Sequence, residues 1–80
     1  MKRATLAKRK RAAKYMESLT PAEHRVLAHL IQGKSAKEIG RALGRSPFTV
    51  SNHTRKIFLA FGTNSRATIL AMFVVPLDEI

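Results

Sequence analysis

Ser35-Ala36-Lys37-Glu38-Ile39-Gly40-Arg41-Ala42-Leu43-Gly44-Arg45-Ser46-Pro47 holds two helix starts and the turn between them. Ser35 can accept a hydrogen bond from the backbone at Glu38, and Glu38 can reach back to Ser35, which makes a capping box. Ala36, Ile39, Gly40 and Leu43 then share one face of a helix. Gly44 supplies the turn. Ser46 restarts the chain as an N-cap, and Pro47 sits at the first helical position, where a missing N–H costs nothing. A short Gly-containing turn, Gly44-Arg45-Ser46, between two helices is the mark of a helix-turn-helix. Gly40 in mid-helix costs about 1 kcal/mol relative to Ala, so close approach of a neighbouring helix is expected there.

The flanks follow the same pattern. Upstream, Thr20-Pro21-Ala22-Glu23 is another capping box, Val26, Leu27, Leu30 and Ile31 form one face, and Gly33 is the expected end of that helix. Downstream, Val50, Thr54, Ile57 and Phe61 recur at helical spacing and Gly62 stops the third helix. Asn64 or Ser65 caps a fourth helix to about Val75, and Pro76 closes it. No segment alternates apolar and polar residues over strand length. The predicted fold class is all-α: a compact four-helix domain containing a helix-turn-helix, over residues 19–80. A basic N-terminal arm, disordered or helical, occupies residues 1–18.

Eighty residues and 8.9 kDa leave room for one domain. The lack of cysteine excludes a disulfide framework and a thiolate zinc site. The net charge of +10 points to a polyanion as partner. Seven basic residues and one acid lie in residues 1–18, against eight and four in the remainder. Within the arm, Arg9, Lys10 and Arg11 are candidate phosphate contacts; a solvated tail is the bland reading. Leu6, Tyr15 and Met16 give too little apolar area for a membrane-surface role. No secretory signal is apparent, and the longest apolar run, Ile69–Leu77, falls short of the ~20 residues of a membrane helix. A cytoplasmic protein is expected, with no membrane partner.

At 100° per residue, Val50, Thr54, Ile57 and Phe61 lie within about 40° of Val50 and define the core face of the third helix. Phe48, Asn52, Arg55 and Leu59 fall opposite, with Ser51 and Lys56 on the flanks. Asn pairs with adenine, Arg with guanine and Ser with either, and an aromatic or aliphatic edge meets a thymine methyl. Any surface helix has a polar outer face. The outward Phe48 and Leu59, the basic arm and the turn together favour base contact by Phe48, Ser51, Asn52 and Arg55.

In the fourth helix, Ile69, Leu70 and Phe73 can close the core, while Ala67, Ala71 and Val75 fall opposite at four-residue spacing. From Ile69 to Val75 there is no polar residue, so the second face needs a partner. A homodimer through Ala67, Ala71 and Val75 is expected. The arm or Leu77–Ile80 folding back over that face is the competing arrangement.

Other constellations are set aside. His24 and His29 are five apart, about 140° on a helix, and make no metal pair. One Asp, four scattered Glu and no Gly-rich phosphate loop suggest no catalytic site, no metal and no cofactor. Asn52-His53-Thr54 matches a glycosylation sequon but lacks a secretory route. Arg41 and Arg45 beside Gly40 and Gly44 disfavour a membrane GxxxG.

The order and spacing of Leu19-Thr20-Pro21-x-Glu23, Gly33-Lys34-Ser35-x-Lys37-Glu38-Ile39, Leu43-Gly44-x-Ser46-x-x-Thr49-Val50-x-Asn52-His53 and Gly62-x-x-Ser65-Arg66-Ala67 resemble the LuxR-type (GerE- or FixJ-type) DNA-binding domain. The resemblance runs from about Leu19 to Val75. It implies a domain that reads double-stranded DNA with its third helix, dimerises through its fourth and regulates transcription in bacteria, with RNA polymerase as a further partner. It places base reading on Ser51, Asn52 and Arg55, and phosphate contacts on Thr49, Lys56, Ser35 and Lys37. His53 matches a family position that supports the third helix or touches phosphate. The chain departs from the family at Ser51, where Lys or Arg is common, at Arg45, at Pro47-Phe48 and at Gly40. Relatives commonly carry an N-terminal receiver or ligand-binding domain. The chain is then either a stand-alone effector or the C-terminal domain of a larger regulator, and Met1 and the charged arm favour the stand-alone form. The principal reading is a sequence-specific regulator on an inverted-repeat-like site. The alternatives are a module that heterodimerises with and inhibits a larger regulator of the same fold, and a non-specific nucleoid or RNA binder.

Overall fold

The computed structural model describes residues 12–73. A helical segment over residues 12–16 (α1) leads into α2 (Pro21–Leu30), α3 (Ala36–Leu43), α4 (Pro47–Phe61) and α5 (Arg66–Phe73). The described residues contain no strand. The four helices expected from the sequence are α2 to α5, and α1 lies at the end of the stretch assigned to the arm.

Both capping boxes form. Thr20 Oγ1 accepts from the Glu23 N–H at 3.2 Å, and the Thr20 N–H donates to Glu23 Oε1 at 3.0 Å. Ser35 Oγ accepts from the Glu38 N–H at 3.2 Å, and the Ser35 N–H donates to Glu38 Oε1 at 2.9 Å. Each cap is worth about 1 kcal/mol. Glu23 is buried, and this reciprocal cap satisfies it. The Ser35 N–H, and then the Ser35 hydroxyl, hold the Glu38 carboxyl below the ordinary glutamate value.

α2 closes at the glycine expected to cap it. The regular helix runs to Leu30, residues 31–33 turn, and Gly33 is left-handed at φ 85°. The Gly33 N–H donates to the Leu30 carbonyl at 3.0 Å and the Lys34 N–H to the His29 carbonyl at 3.4 Å, the paired bonds of a glycine C-terminal cap.

Between α3 and α4, Gly44 adopts the left-handed conformation at φ 67°, where a side chain would be strained. The Arg45 N–H donates to the Gly40 carbonyl at 2.8 Å. A Cβ added to Gly40 would collide with the Arg45 carbonyl oxygen. The close approach expected at Gly40 comes first from the turn, and then from the head of the neighbouring helix, where the Pro47 nitrogen would lie 3.4 Å from that Cβ.

α4 is the central element and packs against α2, α3 and α5. Its Val50, Ile57 and Phe61 join Val26, Leu27 and Leu30 of α2, Ile39 of α3 and Ile69 of α5 in one core. Burying each such side chain stabilises by about 1.5–3 kcal/mol. The core extends upstream of Leu19. Ala12 is buried, and Tyr15 and Met16 pack against the core. The Tyr15 and Phe61 rings lie 5.3 Å apart and tilted, and Phe73 meets the same Phe61 ring at 6.1 Å. These tilted pairs add about 0.5–1.5 kcal/mol each. As expected, Ile69 is buried and Phe73 packs against the core; Met72 packs there as well, while Leu70 is partly buried without joining that packing.

Candidate nucleic-acid interface

Because α4 commits Val50, Ile57 and Phe61 to the core, its opposite stripe faces solvent. Phe48, Ser51, Asn52, Arg55, Lys56 and Leu59 are all exposed, and Phe48 and Leu59 each keep 75% of their surface accessible. Thr54 stays half-buried and spends its hydroxyl on the Val50 carbonyl at 2.9 Å. The structure thus brings Phe48, Ser51, Asn52 and Arg55 together at the leading end of one rigid helix. At 1.5 Å per residue they span roughly 10 Å along the axis. A B-DNA major groove, about 12 Å wide, admits a helix of this diameter.

The start of α4 is fixed by local bonds. Ser46 Oγ accepts from the Thr49 N–H at 3.1 Å and donates to Thr49 Oγ1 at 3.0 Å. Thr49 accepts here, so its own hydroxyl proton is free for an outside acceptor. Ser35 and Lys37 lie exposed at the start of α3, whose positive dipole end favours anions. Lys34, Ser51 and Arg55 border one open cleft of about 350 Å³, which places the loop before α3 beside the outward face of α4. Between Leu19 and Phe73 the only carboxylates are Glu23 and Glu38, and both are bound into caps. Glu38 stays exposed and charged at the start of α3, whereas α4 itself carries no acid and two cations, Arg55 and Lys56.

His53 is placed differently from the other phosphate candidates. Its ring is half-buried in a recess with Arg25, Val26, Leu43 and Arg45, and its Nδ1 is buried with no partner among the described residues. Ala67 and Ala71 are exposed on α5. Arg9, Lys10, Arg11 and Val75 lie outside the described residues.

One residue of the framework carries a role that sequence reasoning did not assign. Arg66 Nη2 donates to the Leu30 carbonyl at 2.8 Å and to the Lys34 carbonyl at 2.6 Å. Lys34 Nζ in turn lies 2.9 Å from His29 Nδ1. The start of α5 is thereby fastened to the loop that presents Lys34, Ser35 and Lys37. A lone Arg after a capping Ser carries no local sign of acceptors more than 30 residues away.

Among the described residues, no group of three His, Cys, Asp or Glu could hold a metal ion, and no helix is long and apolar enough to cross a membrane. The described helices form a helix-turn-helix, α3 and α4, whose second helix turns Arg55 and Lys56 to solvent. The family model GerE, described as bacterial regulatory proteins of the luxR family, matches residues 17–73. The chain belongs to the LuxR family and is a DNA-binding domain of the transcription-regulator class. No curated protein and no solved structure matches the chain.

Proposed function

We propose that the protein is a sequence-specific regulator of transcription that inserts the first two-thirds of α4 into the major groove. Ser51, Asn52, Arg55 and Phe48 face the bases. Ser35, Lys37, Thr49, His53 through Nε2, and Lys56 meet the phosphates on either side, with Arg9, Lys10 and Arg11 of the arm following the backbone beyond. Two copies pair through Ala67, Ala71 and Val75 and occupy an inverted-repeat-like site. The protein acts in the cytoplasm, and RNA polymerase is a further partner. The observation that carries this reading is the stripe on α4, where the exposed Phe48 stands in line with Asn52 and Arg55 on a helix that carries no acid.

The test is selection of bound sequences from a random duplex pool, followed by competition with excess random DNA. A recovered motif retained under competition supports the reading. Retention only as a mixed complex with a larger regulator of the same fold, with no motif of its own, replaces it with the inhibitory-partner reading.

A further inference from the structure

Phe48 and Leu59 are the large apolar side chains left most open to water among the described residues. Apolar residues scattered singly over a surface need no explanation. These two are not scattered: with Asn52 and Arg55 they lie within about 60° on one helix. Leu59 stands roughly 16 Å along the axis from Phe48, in the last third of a helix whose N-terminal residues are the ones that reach bases in helix-turn-helix proteins. Phe48 stands on the first turn, at the end that would enter the groove first. Its backbone is immobilised by Pro47 before it and by the Ser46–Thr49 bonds around it. The Cα–Cβ bond leans toward the helix N-terminus, so the ring is carried forward of Asn52, which lies one turn behind.

A phenyl ring offers no hydrogen bond. Against a guanine, adenine or cytosine edge it would desolvate polar groups and return nothing. The one apolar feature of the major groove is the C5-methyl group of thymine. The same group at the same ring position marks 5-methylcytosine.

We propose that Phe48 makes recognition depend on a pyrimidine 5-methyl group, so that thymine or 5-methylcytosine is bound in preference to unmethylated cytosine at one position of each half-site. The inference rests on α4 being the reader. It adds a chemical class of ligand, and with it a sensitivity to the methylation state of the DNA.

The test uses the full chain and the duplex selected from a random pool. Each thymine is replaced in turn by deoxyuridine, which removes only the methyl group. One position per half-site should weaken binding about fourfold, the worth of one buried methyl. At that position a 5-methylcytosine·guanine pair should bind about fourfold more tightly than a cytosine·guanine pair. Phe48→Ser should abolish both differences and leave the circular dichroism unchanged, because the side chain is 75% exposed. A deoxyuridine scan that is neutral throughout overturns the proposal, as does a methyl effect that survives in Phe48→Ser. DNA bending without methyl dependence would make Phe48 a wedge between base steps and also overturn it. Failure of the reader itself has a different signature: Asn52→Ala and Arg55→Ala would then lose affinity equally on selected and random duplexes.

Discussion

The backbone of Arg45 is folded onto Gly40 from both sides: its N–H donates to the Gly40 carbonyl at 2.8 Å, and its carbonyl oxygen fills the space of the missing Cβ. Gly40→Ala should gain about 1 kcal/mol of helix propensity and lose more to the forced shift of the turn, since overpacking costs about 1–3 kcal/mol. A net destabilisation of about 1 kcal/mol is expected from urea denaturation. A stabilised variant would show that the turn relaxes freely.

Reading and positioning should separate in mutant binding. Asn52→Ala and Arg55→Ala should each cost about 1–3 kcal/mol on the selected duplex and broaden its base preference. Lys56→Ala, on the flank, should weaken selected and random duplexes alike. A uniform loss for all three would remove α4 from the major groove.

The packing of Ala12, Tyr15 and Met16 dictates where the arm can be cut. Deletion of residues 1–11 removes six basic residues and spares these contacts. Each phosphate released flattens the dependence of log K on log salt by about 0.9, so a decrease of two or more in slope is expected. Base preference should hardly change. An unchanged slope would make the arm a bystander.

Ala71 is exposed on α5, so Ala71→Glu can be made without entering the core. Two like charges at a two-fold axis should reduce binding to an inverted repeat far more than to a single half-site. Binding to the inverted repeat gains from holding both copies together, and the half-site does not. Equal effects on the two duplexes would rule out pairing through this face, and sedimentation would report the accompanying change in mass.

Local chemistry made much of this legible. Thr20 with Glu23, Ser35 with Glu38, and Ser46 with Pro47 act over three residues, so the starts of α2, α3 and α4 are written in adjacent letters. The outward set on α4 follows from helical arithmetic because Val50, Ile57 and Phe61 fix one side. Contacts across the fold left no such trace. Ala12, Tyr15 and Met16 lie within or beside basic residues, and only their approach to the rest of the core identifies them as part of it. The shape of the His53 recess depends on residues from three separate segments, so its buried Nδ1 had no counterpart in the spacing.

The Arg66 bridge also has a kinetic meaning. Its guanidinium spans 36 residues to Leu30 and 32 to Lys34. Such separations raise contact order, and the entropy of closing so long a loop must be spent before the two bonds return anything. Both acceptors take shape only when the last turn of α2 and the loop after it have formed. The bridge therefore belongs to the downhill side of the folding barrier. Arg66→Ala, expected to cost about 2–4 kcal/mol through two charge-assisted bonds, should accelerate unfolding in stopped-flow measurements and leave the folding rate nearly unchanged. The lifetime of the native state, more than the speed of reaching it, should then respond to the arginine at the head of α5.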